Sequence, residues 1–162
     1  MKAITLYQPW AEAIIQGYKL IETRTHDKLR SLEGEVIAIH AGQKFDESFM
    51  RAARAYLDRD LIHKLCVRGR RHRGVVLGTA HVRICQRLED SDSTYALCPA
   101  SGLYGLYLDT IKKLHMPYVV RGHQGIWHVE IPEHHDMELV VGRRFADADR
   151  RGQISLDIED RP

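Results

Sequence analysis

The sequence predicts an α+β fold: a small mixed or closed sheet with helices packed against it. Three observations lead there. Several segments carry strand patterning, while two carry helical patterning. Strands do not alternate regularly with helices, which disfavours a doubly wound parallel sheet. The 162 residues contain no internal repeat and no low-complexity linker, and they suit one domain large enough to bury a core.

The elements follow in order. Residues 3–8, AITLYQ, alternate apolar and polar and read as the first strand. PWAEAIIQGYK follows as a helix. Pro9 suits its first position, because the missing N–H would be unpaired there. Trp10, Ala11, Ala13 and Ile14 give the helix a face, and Gly17 stops it where positive φ is tolerated. LIETRTH reads as extended, SLEG as a turn, and EVIAIHAG as a strand with a near-continuous apolar run. FDESFMRAARAYLDRDLIHKL reads as one long helix capped by Asp46, with Phe49, Ala52, Ala53, Tyr56, Leu57, Leu61 and Leu65 at helical spacing.

KLCVRGRRHR then carries five Lys/Arg and no acid, and it enters GVVLGTAHVRICQRL, a long strand kinked at Gly78. EDSDSTYALCPASG reads as a polar, turn-rich loop. LYGLYLDTIKKL, PYVV and GIWHVEI complete the strands. Beyond Pro132, MELVV reads as one more short strand and RRFADADRRGQ as a charged, solvated segment. The expected layout is a domain over residues 1–132 and a C-terminal extension over 133–162, part of the same domain or partly flexible.

Composition narrows the function classes. Apolar residues make up 44% and charged residues 28%, which excludes collagen-like, mucin-like and wholly disordered chains. No apolar run approaches the ~20 residues that span a bilayer, and MKAITLYQPW has no signal-peptide pattern. The net charge of +2, from 24 Lys+Arg against 22 Asp+Glu, implies no global electrostatic grip on nucleic acid and leaves room for a local one. Cys66, Cys85 and Cys98 form no C-x-x-C pair, so a disulfide framework and a thiolate zinc site are disfavoured and a reducing cytoplasm is expected. Ten histidines show no H-E-x-x-H and no H-x-H, so no metal and no cofactor is expected. His40, at the end of a buried strand, is the histidine best placed for a site role.

Four clusters can carry chemistry. In GYKLIETR, an extended 19–24 would put Lys19, Ile21 and Thr23 on one face and Leu20, Glu22 and Arg24 on the other. That alternation does not separate apolar from polar. It reads either as a charged site at a cavity mouth or as a surface strand with a Glu–Arg pair. Gln8-Pro9-Trp10 leads a strand into a helix whose first N–H groups attract anions, with Trp10 able to stack on a base or to join the core. Arg121, Gly122 and Gln124 form a donor-rich loop, either an anion nest or a plain turn. Lys64, Arg68, Arg70, Arg71 and Arg73 suit a phosphate-contacting patch and equally a helix C-terminus.

The motifs ITLYQPW, GYKLIETR, VIAIHAG, GVVLGTAHV, LYGLYLDTIKKL and RGHQGIWHV occur in the order found in ASCH domains, named for activating signal cointegrator-1 homology. The most specific marks are Gln-Pro-Trp followed by Gly-x-Lys-x-x-Glu-x-Arg, here Gly17, Lys19, Glu22 and Arg24, and the closing Gly122, Gly125 and Trp127. The chain therefore resembles the ASCH family over about residues 3–131.

The resemblance implies a PUA-like β-barrel flanked by helices, with a cleft lined by the Gly-x-Lys-x-x-Glu-x-Arg segment. It also implies binding of RNA or a modified nucleotide, with DNA as a further partner. Some relatives resemble ribonucleases, or amidohydrolases that act on acylated cytidine. In the latter the motif lysine, here Lys19, is catalytic, and a threonine stands where this chain has Glu22. The expected binding residues are Gln8, Trp10, Lys19, Glu22, Arg24, Arg68, Arg70, Arg71, Arg73, Arg121 and Gln124. A hydrolase would use Lys19 and Glu22, with His40 as an alternative proton shuttle. A non-catalytic protein-interaction domain, using the tail after Pro132, is the third expectation.

Overall fold

The computed structural model describes residues 1–142. The charged segment expected at residues 143–153, and the extension from residue 143 on, lie outside the described residues.

Seven strands form one mixed sheet. They are β1 (Lys2–Gln8), β2 (Ile21–Arg24), β3 (Val36–Phe45), β4 (Val75–Arg87), β5 (Tyr104–Val119), β6 (Ile126–His128) and β7 (Met137–Leu139). The order is β2-β5-β4-β3-β1-β6, and β7 pairs with β5 beyond the β2 register. β1 and β3 are parallel, and every other pair is antiparallel. Among the described residues four α-helices accompany the sheet: α1 (Trp10–Ile15), α2 (Phe49–Ala53), α3 (Arg59–Arg71) and α4 (Ser93–Ala96).

The mixed α+β class agrees with the sequence, but the closed barrel does not. No ladder joins β2 to β6 among the described residues, so the sheet is open. Both terminal strands are short, four and three residues. The sheet bends instead at its bulges, where β4 shifts register against β5 between Val76 and Gly78, Thr79 and His81, and Val82 and Ile84. Gly78 lies at the first of these. A Cβ there would stand 2.0 Å from the Lys112 carbonyl oxygen, so β4 and β5 approach as only glycine permits.

The expected long helix is two helices. The chain breaks before Asp58, whose side chain accepts from Leu61 N at 2.8 Å and caps α3. Asp46 is not the cap of α2; Ser48 holds that place. Helix α3 then runs on to Arg71, so the basic run is its last turn. PYVV is not a separate strand up to Val119, since β5 continues through it. The expected loop at 89–102 contains α4, with Tyr95, Ala96 and Leu97 buried.

Three apolar clusters hold these layers. The largest lies between α1 and the sheet and includes Ile4, Ile14, Ile39, Leu77, Tyr107 and Leu108. A second joins α1 to α2 and α3 through Ala13, Phe49, Leu57, Ile62 and Leu65. A third backs the sheet around Val76, Leu114, Trp127 and Val129. The central strands are therefore covered on both sides, which is why VIAIHAG and VVLGTA read as continuous apolar runs.

Candidate functional site

The Gly-x-Lys-x-x-Glu-x-Arg segment is placed by the end of α1. Gly17, at φ +76°, turns the chain, and the backbone N–H groups of Tyr18 and Lys19 both donate to the Ala13 carbonyl, at 2.9 and 3.0 Å. The extended conformation starts only at Ile21, not at Lys19. The turn, not strand alternation, carries Lys19 back toward Glu22.

Lys19, Glu22 and Arg24 converge. The Lys19 ammonium donates to the Ile21 carbonyl, to the Ala96 carbonyl at 3.0 Å, and pairs with Glu22 Oε2 at 3.5 Å. The other Glu22 oxygen accepts from Arg24 Nη1, which also donates to the Thr23 carbonyl. Lys19 and Glu22 are buried, while 30% of the Arg24 side chain is exposed. Burial lowers the Lys19 pKa and outweighs the opposing pull of Glu22. Ala96 is held in reach of Lys19 by a tyrosine: the buried Tyr107 hydroxyl donates to Asp92 at 2.8 Å and accepts from Gln86, fixing the turn that leads into α4.

Trp10 joins this group from the other side. The Lys19 ammonium lies 5.3 Å from its ring centroid, its Nε1 donates to Asp46 at 2.8 Å, and its ring packs edge-on against Phe49. Burial pushes the Asp46 carboxyl up, but hydrogen bonds from Ser48 and Trp10 prevail and hold it below its ordinary value. Gln8 is buried, and its amide links two helices by donating to the His72 carbonyl at 2.7 Å and accepting from Glu12 N.

The family model of the ASCH domain matches residues 4–147. The chain belongs to the ASCH domain family. This is a PUA-like family often linked to RNA binding. Among solved structures, the ASCH protein of Zymomonas mobilis is similar at 14% identity and a TM-score of 0.50, over 80% of this chain and 87% of that one. Two single-residue variants of that protein also match at 14% identity, with TM-scores of 0.46 and 0.45 over 80% of this chain and 87% and 89% of theirs. No curated protein matches.

The remaining expected residues of the ASCH domain lie apart from the Lys19 group. Arg68, Arg70, Arg71 and Arg73 are at and just beyond the end of α3. Arg121 and Gln124 are exposed in the loop before β6. His40 is buried in the sheet. It lies 3.0 Å from the Val120 carbonyl through Nε2, its Nδ1 has no partner among the described residues, and Gly122 packs against the ring. A cavity of about 300 Å³ opens between Gly17, Asp109 and Val140, and none of Lys19, Glu22 and Arg24 lines it. Among the described residues no group of acidic, histidine or cysteine side chains is placed to hold a metal ion, and no helix is long and apolar enough to cross a membrane.

Sequence reasoning missed two features. Glu12 is buried under α3, where it meets His72 Nδ1 at 3.2 Å and accepts from Gln16. A glutamate inside the apolar stretch AEAII was its signal. The Lys44 ammonium lies over the exposed Tyr7 ring, and the next residue, Phe45, packs under the Arg70 guanidinium of α3. Only Tyr7 had a signal, as an aromatic residue on the polar face of an alternating strand.

Proposed function

We propose that this ASCH domain binds RNA or a nucleotide at the surface where the Lys19–Glu22–Arg24 chain emerges. The observation that carries the reading is the state of Arg24. Its Nη1 is held by the buried Glu22 carboxylate, while Nε and Nη2 have no partner among the described residues. A guanidinium fixed on one side and open along the other edge suits two phosphate oxygens. With Lys19 protonated, the three side chains carry one net positive charge, delivered at the exposed end. Free thiols at Cys66, Cys85 and Cys98 suit the cytoplasmic setting that goes with this reading.

The test is titration of a fluorescent RNA oligonucleotide and of a mononucleotide at low salt. Binding should weaken in Arg24→Ala and be partly kept in Arg24→Lys. Undetectable binding, or equal binding by Arg24→Ala, would overturn the reading.

A hydrolase that uses Lys19 and Glu22 is the second reading, favoured by the burial that lowers the Lys19 pKa. It requires the ammonium to release the Ile21 and Ala96 carbonyls, so binding is better supported. Turnover of RNA or of an acylated cytidine that disappears in Lys19→Ala would reverse that order.

A further inference from the structure

One interior group has no role in the Lys19 site. His40 is 1% exposed, and among the described residues its Nδ1 is the one buried side-chain nitrogen or oxygen without a hydrogen-bond partner. Its Nε2 meets the Val120 carbonyl oxygen, so the neutral ring donates from Nε2 and keeps a bare lone pair on Nδ1. Gly122 covers that lone pair. A Cβ at this position would stand 2.4 Å from Nδ1, 2.2 Å from Cε1 and 2.8 Å from Thr5 Oγ1. The chain from Val120 to Gly125 thus crosses the ring as a strap, at a distance only glycine permits. The strap has few other ties. Val120 N donates to the Gly74 carbonyl at 3.3 Å, and residues 121–125 make no backbone–backbone hydrogen bond among the described residues. Arg121, His123 and Gln124 on it are exposed.

We propose that His40 is a pH-sensitive latch for this strap, closed while the ring is neutral and released when Nδ1 takes a proton. A proton on Nδ1 would point an N–H at the Gly122 carbon, where it finds no acceptor, and would leave a charge under the strap. The surroundings do not compensate. In the sheet His40 pairs with Thr5 of β1 and Val76 of β4, and the Trp127 ring of β6 stands edge-on to it at 5.4 Å. None of these carries a charge, and Thr5 Oγ1 already accepts from Trp127 Nε1 at 3.1 Å. The titratable group that faces His40 is His123, on the strap itself, whose ring also packs on Trp127. A proton on His123 adds repulsion. Lifting the strap gives Nδ1–H to water and carries Arg121 and Gln124 away from the sheet. The opening is local and occurs with the sheet still folded. It does not depend on what the domain binds.

The experiment is a proton NMR titration of the isotope-labelled full chain from about pH 7.5 downward, through the range where histidine charges. At the neutral end a nuclear Overhauser contact should join the His40 Hε1 proton to the Gly122 Hα protons. That contact should be lost with the same midpoint as the His40 ring titrates, while the contacts between Ala38 and Thr79 across β3 and β4 persist. The Gly122 amide signal should step with that midpoint. His40→Gln, whose amide can still donate to Val120 but takes no proton, should abolish the step, and His123→Gln should keep it. Gly122→Ala lifts the strap without acid, so His40 should then titrate closer to about 6.5. A His40 ring that titrates with the Gly122 contact intact overturns the latch. So does loss of that contact only together with the Ala38–Thr79 contacts, or a His40 that takes no proton before the sheet unfolds. A Gly122→Ala protein whose Ala38–Thr79 contacts are kept and whose His40 titrates as in the parent also overturns it, because the strap then does not hold the charge off.

Discussion

The Lys19 ammonium and the Glu22 carboxylate lie 3.5 Å apart, with 1% and 5% of their side chains exposed. This is an interior ion pair that ties the end of α1 to the sheet edge. The Ile21 and Ala96 carbonyls meet the ammonium's other hydrogen-bonding needs.

Lys19→Met should therefore destabilise the fold. Removing one partner of a buried pair costs about 3–5 kcal/mol, and the effect should fall toward the lower end because Arg24 still faces Glu22. The double change Lys19→Met with Glu22→Gln should cost less than the sum of the single changes. Urea denaturation of the four proteins measures this coupling, and simple additivity would show that the two groups do not act as a pair.

His40 makes stability depend on pH. Burial lowers its pKa from the ordinary 6.5, with the Val120 carbonyl opposing and His123 adding to the fall. Below about pH 6.5 the unfolded chain binds a proton that the folded chain resists. The contribution is thus whole above that pH and is lost as pH falls toward the folded value. The urea midpoint should drop between pH 7 and pH 5, and His40→Gln should show a shallower drop. Parallel pH profiles would contradict this.

Gly78→Ala should cost at least about 3 kcal/mol, because the new methyl meets the backbone oxygen of Lys112 and not a movable side chain. A loss below about 1 kcal/mol would mean that β4 and β5 separate easily at this bulge.

Asp58→Ala should cost about 1 kcal/mol, with Asp58→Asn nearer the parent. The measured quantity is the thermal midpoint. Equal midpoints would show that the Leu61 hydrogen bond adds nothing to α3.

The sequence-based reading saw much of this framework and missed features that depend on distant contacts. The strands and Gly17 follow from local patterning. The split between α2 and α3 does not, because Phe49, Leu57, Ile62 and Leu65 enter the same apolar cluster on both sides of Asp58. Periodicity therefore runs on through the break. Barrel closure was likewise invisible, since it depends on whether β2 and β6 meet. At the site, the alternation read over residues 19–24 assumed an extended chain from Lys19, whereas β2 starts at Ile21. The segment it singled out is nevertheless the one where Lys19, Glu22 and Arg24 meet. That alternation gave no hint that Ala96, 77 residues away from Lys19, supplies an acceptor. Lys44 and Phe45 lacked a signal for the same reason: their partners come from β1 and α3.

β1 is hydrogen-bonded to β3 on one side and to β6 on the other. During synthesis its second edge has no mate until residues 126–128 have left the ribosome. At ~5–20 residues per second that interval lasts roughly 6 to 24 seconds. Throughout it, the alternating strand KAITLYQ presents an open ladder to any other extended chain. The order in which this topology closes thus makes β1 a segment in need of shielding until β6 is made.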